Sequence, residues 1–454
     1  MIVYKMSRYM RYKPLFFVIS PTKTKRPQKT MTKISKIFFL LFAVILQVTM
    51  MESCRKFDFE QFREIVKQNY LIDSIDEQHT WNLLKERAVR IKSQVDDPDI
   101  AYVQVLDGNP FEKEGVEILA NRLCTDGNTV SPTFSVPATK TEFWAAAVTN
   151  QGKYYVIPIE DKSDVVIGGS RMISNKLMIS RPVGQTFTYM FEEDYPYPGD
   201  FDFNDVVLRI SQQAVAQNKL KLTVTLAAVG ATKQLGAAIR FPLLKSSDIE
   251  KVTIDEGRRF DEGYPVERYF IDDEKVLVRG RDGSAVINLF DDAHWCMNSD
   301  EKNGQVVRMY YNTRNYEVKN ESVNMPTVSR TYNIYLNEGI DASFLQLSDI
   351  DPFIIANSNG LVVEVHTFTY KYSEAIWHYT NGPGSEDDMV PWALMVPDGN
   401  FRYPVEEMFL GRYRNGESTG AYSRYGHSFG EWGRNHTKSE DWWLYPSEAQ
   451  VYQP

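Results

Sequence analysis

Residues Lys219–Val229 read KLKLTVTLAAV. Leu220, Leu222, Val224 and Leu226 alternate with Lys219, Lys221, Thr223 and Thr225. A period of two puts these sets on opposite faces of an extended strand, whereas a helix would scatter both around its axis. Shorter β-like runs, bounded by Gly, Asn, Pro and Asp, recur along most of the chain. Before residue 170 they are RAVRIKSQV, IAYVQVLDGNP, EFWAAAVT and GKYYVIPIE; later come TFTYMFEED, NDVVLRISQQAV, SAVINLF and RTYNIYLNEGI. FIIANSNGLVVEVHTF predicts a hairpin around Asn357–Gly360, because Asn–Gly turns supply the positive φ that tight hairpins need. The 26 tyrosines and 25 phenylalanines add to the β preference. The expected fold is mostly β: a small antiparallel β-sandwich over residues 86–168, then a larger β-rich domain over residues 175–452. A few short helices are expected, in EMFLGRYRN and AYSRYGHSFGEW.

The first 54 residues read as targeting sequence. Lys33 and Lys36 form a positive n-region before IFFLLFAVIL, an apolar stretch of signal-peptide length that is short for a bilayer span. MMESC follows, and its Cys54 resembles the acylated cysteine of a bacterial lipobox. Met31, before TKISK, is the better signal start, so residues 1–30 are expected to be an upstream extension and 31–53 the signal peptide. Residues 54–85 are expected to form a tether with a short helix at Asp58–Tyr70, where Phe59, Phe62, Ile65 and Val66 share a side.

Without residues 1–54 the net charge falls from −9 to about −18, because that segment holds ten bases and one acid. No basic footprint for nucleic acid remains. An acidic surface suits divalent cations or cationic partners. Cys124 and Cys296 lie far apart in sequence and are expected to be two thiols rather than a disulfide.

The most distinctive stretch is FEEDYPYPGDFDFNDVVLRI, from Phe191 to Ile210. Its aromatic and acidic lead, Pro–Gly step and D-x-D-F-N-D-x-V run resemble the signature of the LruC-domain family. PWALMVPDGNFRYPVEEM (Pro391–Met408) and SEDWWLYP (Ser439–Pro446) are similar to that family's closing segments, so the resemblance spans roughly residues 185–452. It implies a β-rich domain in a secreted or surface-anchored bacterial protein, often a lipoprotein of Bacteroidota type, and no defined chemistry.

Within this stretch Asp200, Asp202, Asn204 and Asp205 are the candidate metal ligands, with calcium as the ion. Oxygen ligands at alternate positions of a tight loop can converge on a hard cation. An EF-hand is excluded, since its sixth position would be Asp205 rather than Gly and its twelfth Ser211 rather than Glu. Further oxygens would come from Glu192, Glu193 or Asp194, or from Asp291–Asp292 or Glu386–Asp388. Two alternatives stand beside this reading. The side chains can cap their own backbone, or two of them can form a catalytic carboxylate pair.

The remaining motifs point to no catalyst. The six histidines show no zinc-ligand spacing. GHSFG matches a nucleophile elbow but sits in a β-rich tail, outside the strand–helix context that the motif requires. Glu364 and His366 share one strand face, expected to be solvated. The tail aromatics Tyr422, Tyr425, Phe429, Trp432, Trp442, Trp443 and Tyr445 are expected to be buried.

The sequence therefore predicts a lipoprotein of the cell envelope, at the outer membrane or cell surface and membrane-bound through Cys54. Its expected role is non-catalytic binding or structure, calcium-stabilised, with an extracellular protein or glycan as partner and no nucleic acid. A carbohydrate-active hydrolase and a fimbria-like or adhesin subunit are the alternatives.

Overall fold

A computed structural model describes residues 70–453, apart from 125–128, 161–163, 175–176, 196–198, 264–265, 267, 270–275, 281, 298–309, 314–326, 359–360 and 368–390. Cys54, the signal segment, nearly all of the expected Asp58–Tyr70 helix and Glu386–Asp388 lie outside the described residues. All described residues belong to one compact unit, Arg63–Pro454.

The first strands are β1 (Leu84–Ala88), β2 (Arg90–Ser93), β3 (Ile100–Leu106), β4 (Glu117–Leu123), β5 (Thr129–Val130), β6 (Thr133–Pro137), β7 (Phe143–Thr149), β8 (Tyr154–Ile159), β9 (Asp164–Ile167) and β10 (Val183–Gly184). β10, β4, β3, β7 and β8 form a five-stranded sheet in that order, antiparallel except for the short β10–β4 pair. β1–β6 and β5–β2–β9 form two smaller sheets. Alternation along β7 explains the packing. Ala145 and Ala147 join Ile91, Val103, Val136 and Ile167 in one core. Ala146 and Val148 face the other way, into a second cluster that Ile173 and Met178 help to cover.

The later strands are β11 (Thr186–Phe191), β12 (Val206–Ala216), β13 (Lys219–Val229), β14 (Gln234–Lys245), β15 (Ile249–Ile254), β16 (Leu277–Arg279), β17 (Ser284–Phe290), β18 (Val328–Leu336), β19 (Asp351–Ser358), β20 (Leu361–His366) and β21 (Ala393–Val396). They form a six-stranded sheet, β15-β18-β13-β12-β11-β21, and a five-stranded sheet, β16-β17-β14-β19-β20. The KLKLTVTL run is β13, with Leu220, Leu222, Val224 and Leu226 fully buried. β19 and β20 pair antiparallel from Ser358↔Leu361, in agreement with the expected hairpin. The fold is mostly β, as expected.

Among the described residues the α-helices are few and short: α1 (Ala293–Met297) and α2 (Phe429–Arg434). EMFLGRYRN is not helical. Its end is β22 (Arg412–Arg414), paired with β23 (Glu417–Thr419). AYSRYGHSFGEW is helical only from Phe429, after a hairpin of β24 (Ser423–Arg424) and β25 (His427–Ser428). Gly411 and Gly430 explain the departure, since a Cβ at either would stand within 2.7 Å of Phe429 or Tyr413. Close backbone packing overrides helix propensity there.

Two junctions join segments remote in sequence. At the first, Arg122 of β4 donates to the Ser343 carbonyl and lies 4.4 Å from the Phe344 ring centroid. Beside it a cavity of about 40 Å³ is lined by amide side chains, including Asn121 and Gln212, and by Ser343. At the second, residues 70–81 clasp the tail. Tyr413 donates its N–H to Leu71 O at 2.9 Å, and Asp73 donates to Tyr413 O at 3.1 Å. His79 and Trp81 pack their rings against Trp432.

Candidate metal centre

The loop between β11 and β12 carries the candidate residues. Its course is set by two phenylalanines in left-handed backbone, Phe201 at φ 54° and Phe203 at φ 56°. That conformation costs an L-residue roughly 1–2 kcal/mol. Both rings are fully buried, and Phe201 packs against Tyr70 and Trp392 at centroid distances of 4.8 and 5.9 Å. Burying a Phe side chain is worth about 1.5–3 kcal/mol, which offsets the strain. The alternate positions of D-F-D-F-N thus anchor the loop, and the left-handed turns aim its amides inward.

Those amides meet Glu192, the first residue after β11. Its Oε1 accepts the Phe203 N–H at 2.6 Å and its Oε2 the Phe201 N–H at 3.3 Å. Amides of alternate residues thus converge on one carboxylate, as in an anion-binding concavity of the backbone. Glu192 is itself fixed by its N–H bond to Trp392 O at 2.8 Å. A Cβ at Gly199 would stand 2.5 Å from Glu192 Oε2, so only glycine fits there without a shift.

Glu192, Asp200 and Asp202 each offer an oxygen within 4.8 Å of the other two. Among the described residues, no other three His, Cys, Asp or Glu ligand atoms converge so closely. Glu192 and Asp202 are buried, and Asp200 is partly exposed. Asp202 also caps backbone, accepting from Asn204 N at 3.1 Å and Glu407 N at 2.8 Å. Asn204 and Asp205 turn elsewhere. Asn204 donates to Pro404 O at 3.2 Å and accepts from Asn312. Asp205 accepts the Glu193 N–H at 2.9 Å. Capping and convergence therefore coexist: Asp202 does both.

Burial, followed by the charge of their neighbours, raises the carboxyls of Glu192, Asp202 and Asp205 well above the usual range; that of Asp200 is raised mainly by burial. Burial and Asp194 lift Glu193 to about 7. Lys233 lies on the flank, 2.6 Å from Asp194 and 3.5 Å from Glu193. Several carboxylates this close and this dry need protons or a cation between them. The donor set is all oxygen, which suits a hard divalent ion.

The other candidate groups are occupied. Asp291 pairs with Arg259 and Arg268, and Asp292 binds His294 through its backbone N and Nδ1. Ser428 of GHSFG is fully buried and caps α2, accepting the Glu431 N–H at 3.2 Å and donating to Glu431 Oε2 at 3.0 Å. That is a helix N-cap rather than an exposed nucleophile. The Glu364–His366 face is not solvated. His366 is 1% exposed and bonds Asp351 at 2.8 Å and Glu364 at 3.2 Å, and Glu364 also accepts from the Tyr269 hydroxyl. Alternation placed both residues on one face, but the Tyr269 segment that covers it is remote in sequence. The tail aromatics are buried as expected except Tyr445, which is partly exposed, and Tyr425, which is 91% exposed.

Residues 217–443, half of the chain, match the model of a family described as a domain of unknown function, DUF4842. This chain belongs to that family. The match begins at the turn into β13, beyond the Asp200–Asp205 loop and the whole of β12, and runs through α2 into the tail. No curated protein matches the chain. Among solved structures, a candidate lipoprotein from Bacteroides ovatus aligns over 79% of this chain and 100% of its own, at 17% identity and a TM-score of 0.46.

Proposed function

We propose that this member of the family is a non-catalytic, lipid-anchored protein of the bacterial cell envelope, at the outer membrane or cell surface, whose larger β domain is fastened by calcium. The convergence of Glu192, Asp200 and Asp202 carries the cation reading. Their three carboxylates would hold the ion, with carbonyls and water completing the six to eight oxygens that calcium takes. A glycosidase needs two carboxylates facing each other across a substrate cleft. Here three point to one locus, inside a loop that packs on its own aromatic rings. The lipobox-like MMESC supports the anchor at Cys54, and the LruC-like element at 191–210 supports a surface setting. In this reading the β domain presents a binding surface to an extracellular protein or glycan.

Two measurements test the proposal. Intact-mass analysis of the membrane fraction should find a chain that begins at an acylated Cys54; retention of residues 31–53 would sink the anchor. Calcium should raise the unfolding midpoint above that in chelator, and the double change Asp200→Ala with Asp202→Ala should abolish the difference. An unmoved midpoint in the unaltered protein would sink the cation.

A further inference from the structure

Tyr425 departs from the rule that the tail aromatics are buried. It occupies the two-residue tip of the β24–β25 hairpin with Gly426, whose φ is 77°. The hairpin is gripped at its base: Arg424 lies 4.7 Å from the Tyr445 ring centroid, and His427 packs on the same ring at 4.1 Å and bonds Asp441 at 2.7 Å. A large ring is thus held out into water on a rigid support.

Tyr425 forms one lip of a cleft of about 660 Å³. Tyr413, Arg434, Asn435, Lys438 and Ser439 line it further. Arg434 lies 4.7 Å from the Tyr413 ring centroid, with its Nε 3.7 Å from Asp73. Lys438 makes no side-chain hydrogen bond or ion pair among the described residues. The acid lining the cleft, Glu431, already accepts the Ser428 and Ser439 hydroxyls through Oε2. Ser439 sits in left-handed backbone at φ 50°, strain of a kind that concentrates at binding sites. Two cations thus face a cleft in a chain that is strongly acidic.

We propose that this cleft binds an acidic carbohydrate, a pyranose chain bearing carboxylates. The flat C–H face of a sugar ring stacks on an exposed tyrosine, which loses little conformational freedom on binding. Lys438 and Arg434 supply charge for the carboxylate, and the Asn435 amide and Ser439 hydroxyl supply polar contacts for ring hydroxyls. The site shares no residue with Glu192, Asp200 and Asp202, so it stands or falls separately from the cation.

The test is calorimetric titration of the purified chain with a uronic-acid oligosaccharide, its uncharged hexose counterpart and an oligoglutamate peptide. The uronate should bind, the neutral sugar about tenfold or more weakly, and the peptide no better than the neutral sugar. Tyr425→Ala should weaken uronate binding about tenfold or more without moving the unfolding midpoint, because the side chain is 91% exposed. Lys438→Gln should weaken it and flatten its salt dependence. Absence of uronate binding, equal affinity for the peptide, or indifference to Tyr425→Ala would each overturn the proposal.

Discussion

Glu192 holds Phe203 through a backbone bond of 2.6 Å from the Phe203 N–H to Oε1, and this bond joins the two roles of the loop. The same carboxylate that satisfies buried amides contributes an oxygen to the acidic convergence. The roles separate by mutation. Glu192→Ala orphans two buried N–H groups and should cost about 2–4 kcal/mol even in chelator. Asp200→Asn, at a partly exposed position, should leave chelator stability within about 0.5 kcal/mol and reduce only the calcium response. Urea unfolding in calcium and in chelator separates the two; equal effects in both media would show that the loop is structural alone.

Acid should loosen the clasp between residues 70–81 and the tail. His79 Nδ1 accepts the Trp81 N–H at 2.9 Å, while Nε2 faces Trp432 O at 3.1 Å, so the neutral Nε2–H tautomer satisfies both. Burial depresses its pKa to about 4, against the weaker pull of Trp432 O and Asp76. Folded His79 thus resists a proton that the unfolded chain accepts near pH 6.5. Its contribution is intact above about pH 6.5 and is lost as pH falls towards 4, by up to about 3 kcal/mol. Asp76, held at about 2 by hydrogen bonds from Gln78 and His436, stays charged across this window. Hydrogen exchange of the Asp73 and Tyr413 amides should accelerate below pH 6 in the unaltered protein relative to the intrinsic rate.

Alkali should act elsewhere. Burial lowers the His366 pKa, but the charge of Asp351 and bonds to Asp351 and Glu364 outweigh it and hold the imidazole at about 9. This group stabilises the fold fully below about pH 6.5, and the contribution fades as pH rises through 9. Asp351→Asn leaves His366 and Arg240 facing a neutral amide and should cost about 3–5 kcal/mol near neutrality. Denaturant midpoints across the alkaline range should fall less steeply in the variant than in the parent.

Ser428→Ala removes a helix cap and should cost about 1 kcal/mol. A fluorophosphonate probe should leave Ser428 unlabelled in the native protein, and labelling there would contradict the capping assignment.

The amide-lined cavity beside Arg122 should hold two or three ordered waters. Asn121 Oδ1, Gln212 Oε1 and Ser343 Oγ are buried there without a hydrogen-bond partner, and about 40 Å³ exceeds the roughly 10–15 Å³ that one water needs. A high-resolution crystal structure would show them, and a dry cavity would refute the expectation.

Period-two patterning was enough to place β13, because Leu220 to Leu226 show both the pleat and the buried face. The Asn–Gly signal likewise anticipated the β19–β20 pairing. Alternation failed at Glu364 and His366, whose cover comes from Tyr269, some 95 residues away. The helix expected in EMFLGRYRN is absent, where a distant Phe429 presses on Gly411. In the loop, composition marked Asp200 and Asp202, and proximity marked Glu192 as a source of further oxygen. What no local reading supplies is direction: Asn204 bonds Pro404 O and Asn312, and Asp205 accepts the Glu193 N–H, so neither joins the three converging oxygens.

The clasp also sets a path for mechanical load. A pull on the chain ahead of Tyr70 meets Leu71 and Asp73 bonded side by side to Tyr413, and Asn415 bonded to Asp73. Ile72 runs parallel to the Tyr413 segment, so tension drags the two along each other and the bonds share the force instead of opening one by one. Force enters at the tail, close to α2 and its Trp432, and the sheets from β1 to β9 hang outside the tensioned line. Strands β1 to β9 are therefore sheltered, although they follow the clasp directly in sequence, and the distant tail bears the strain.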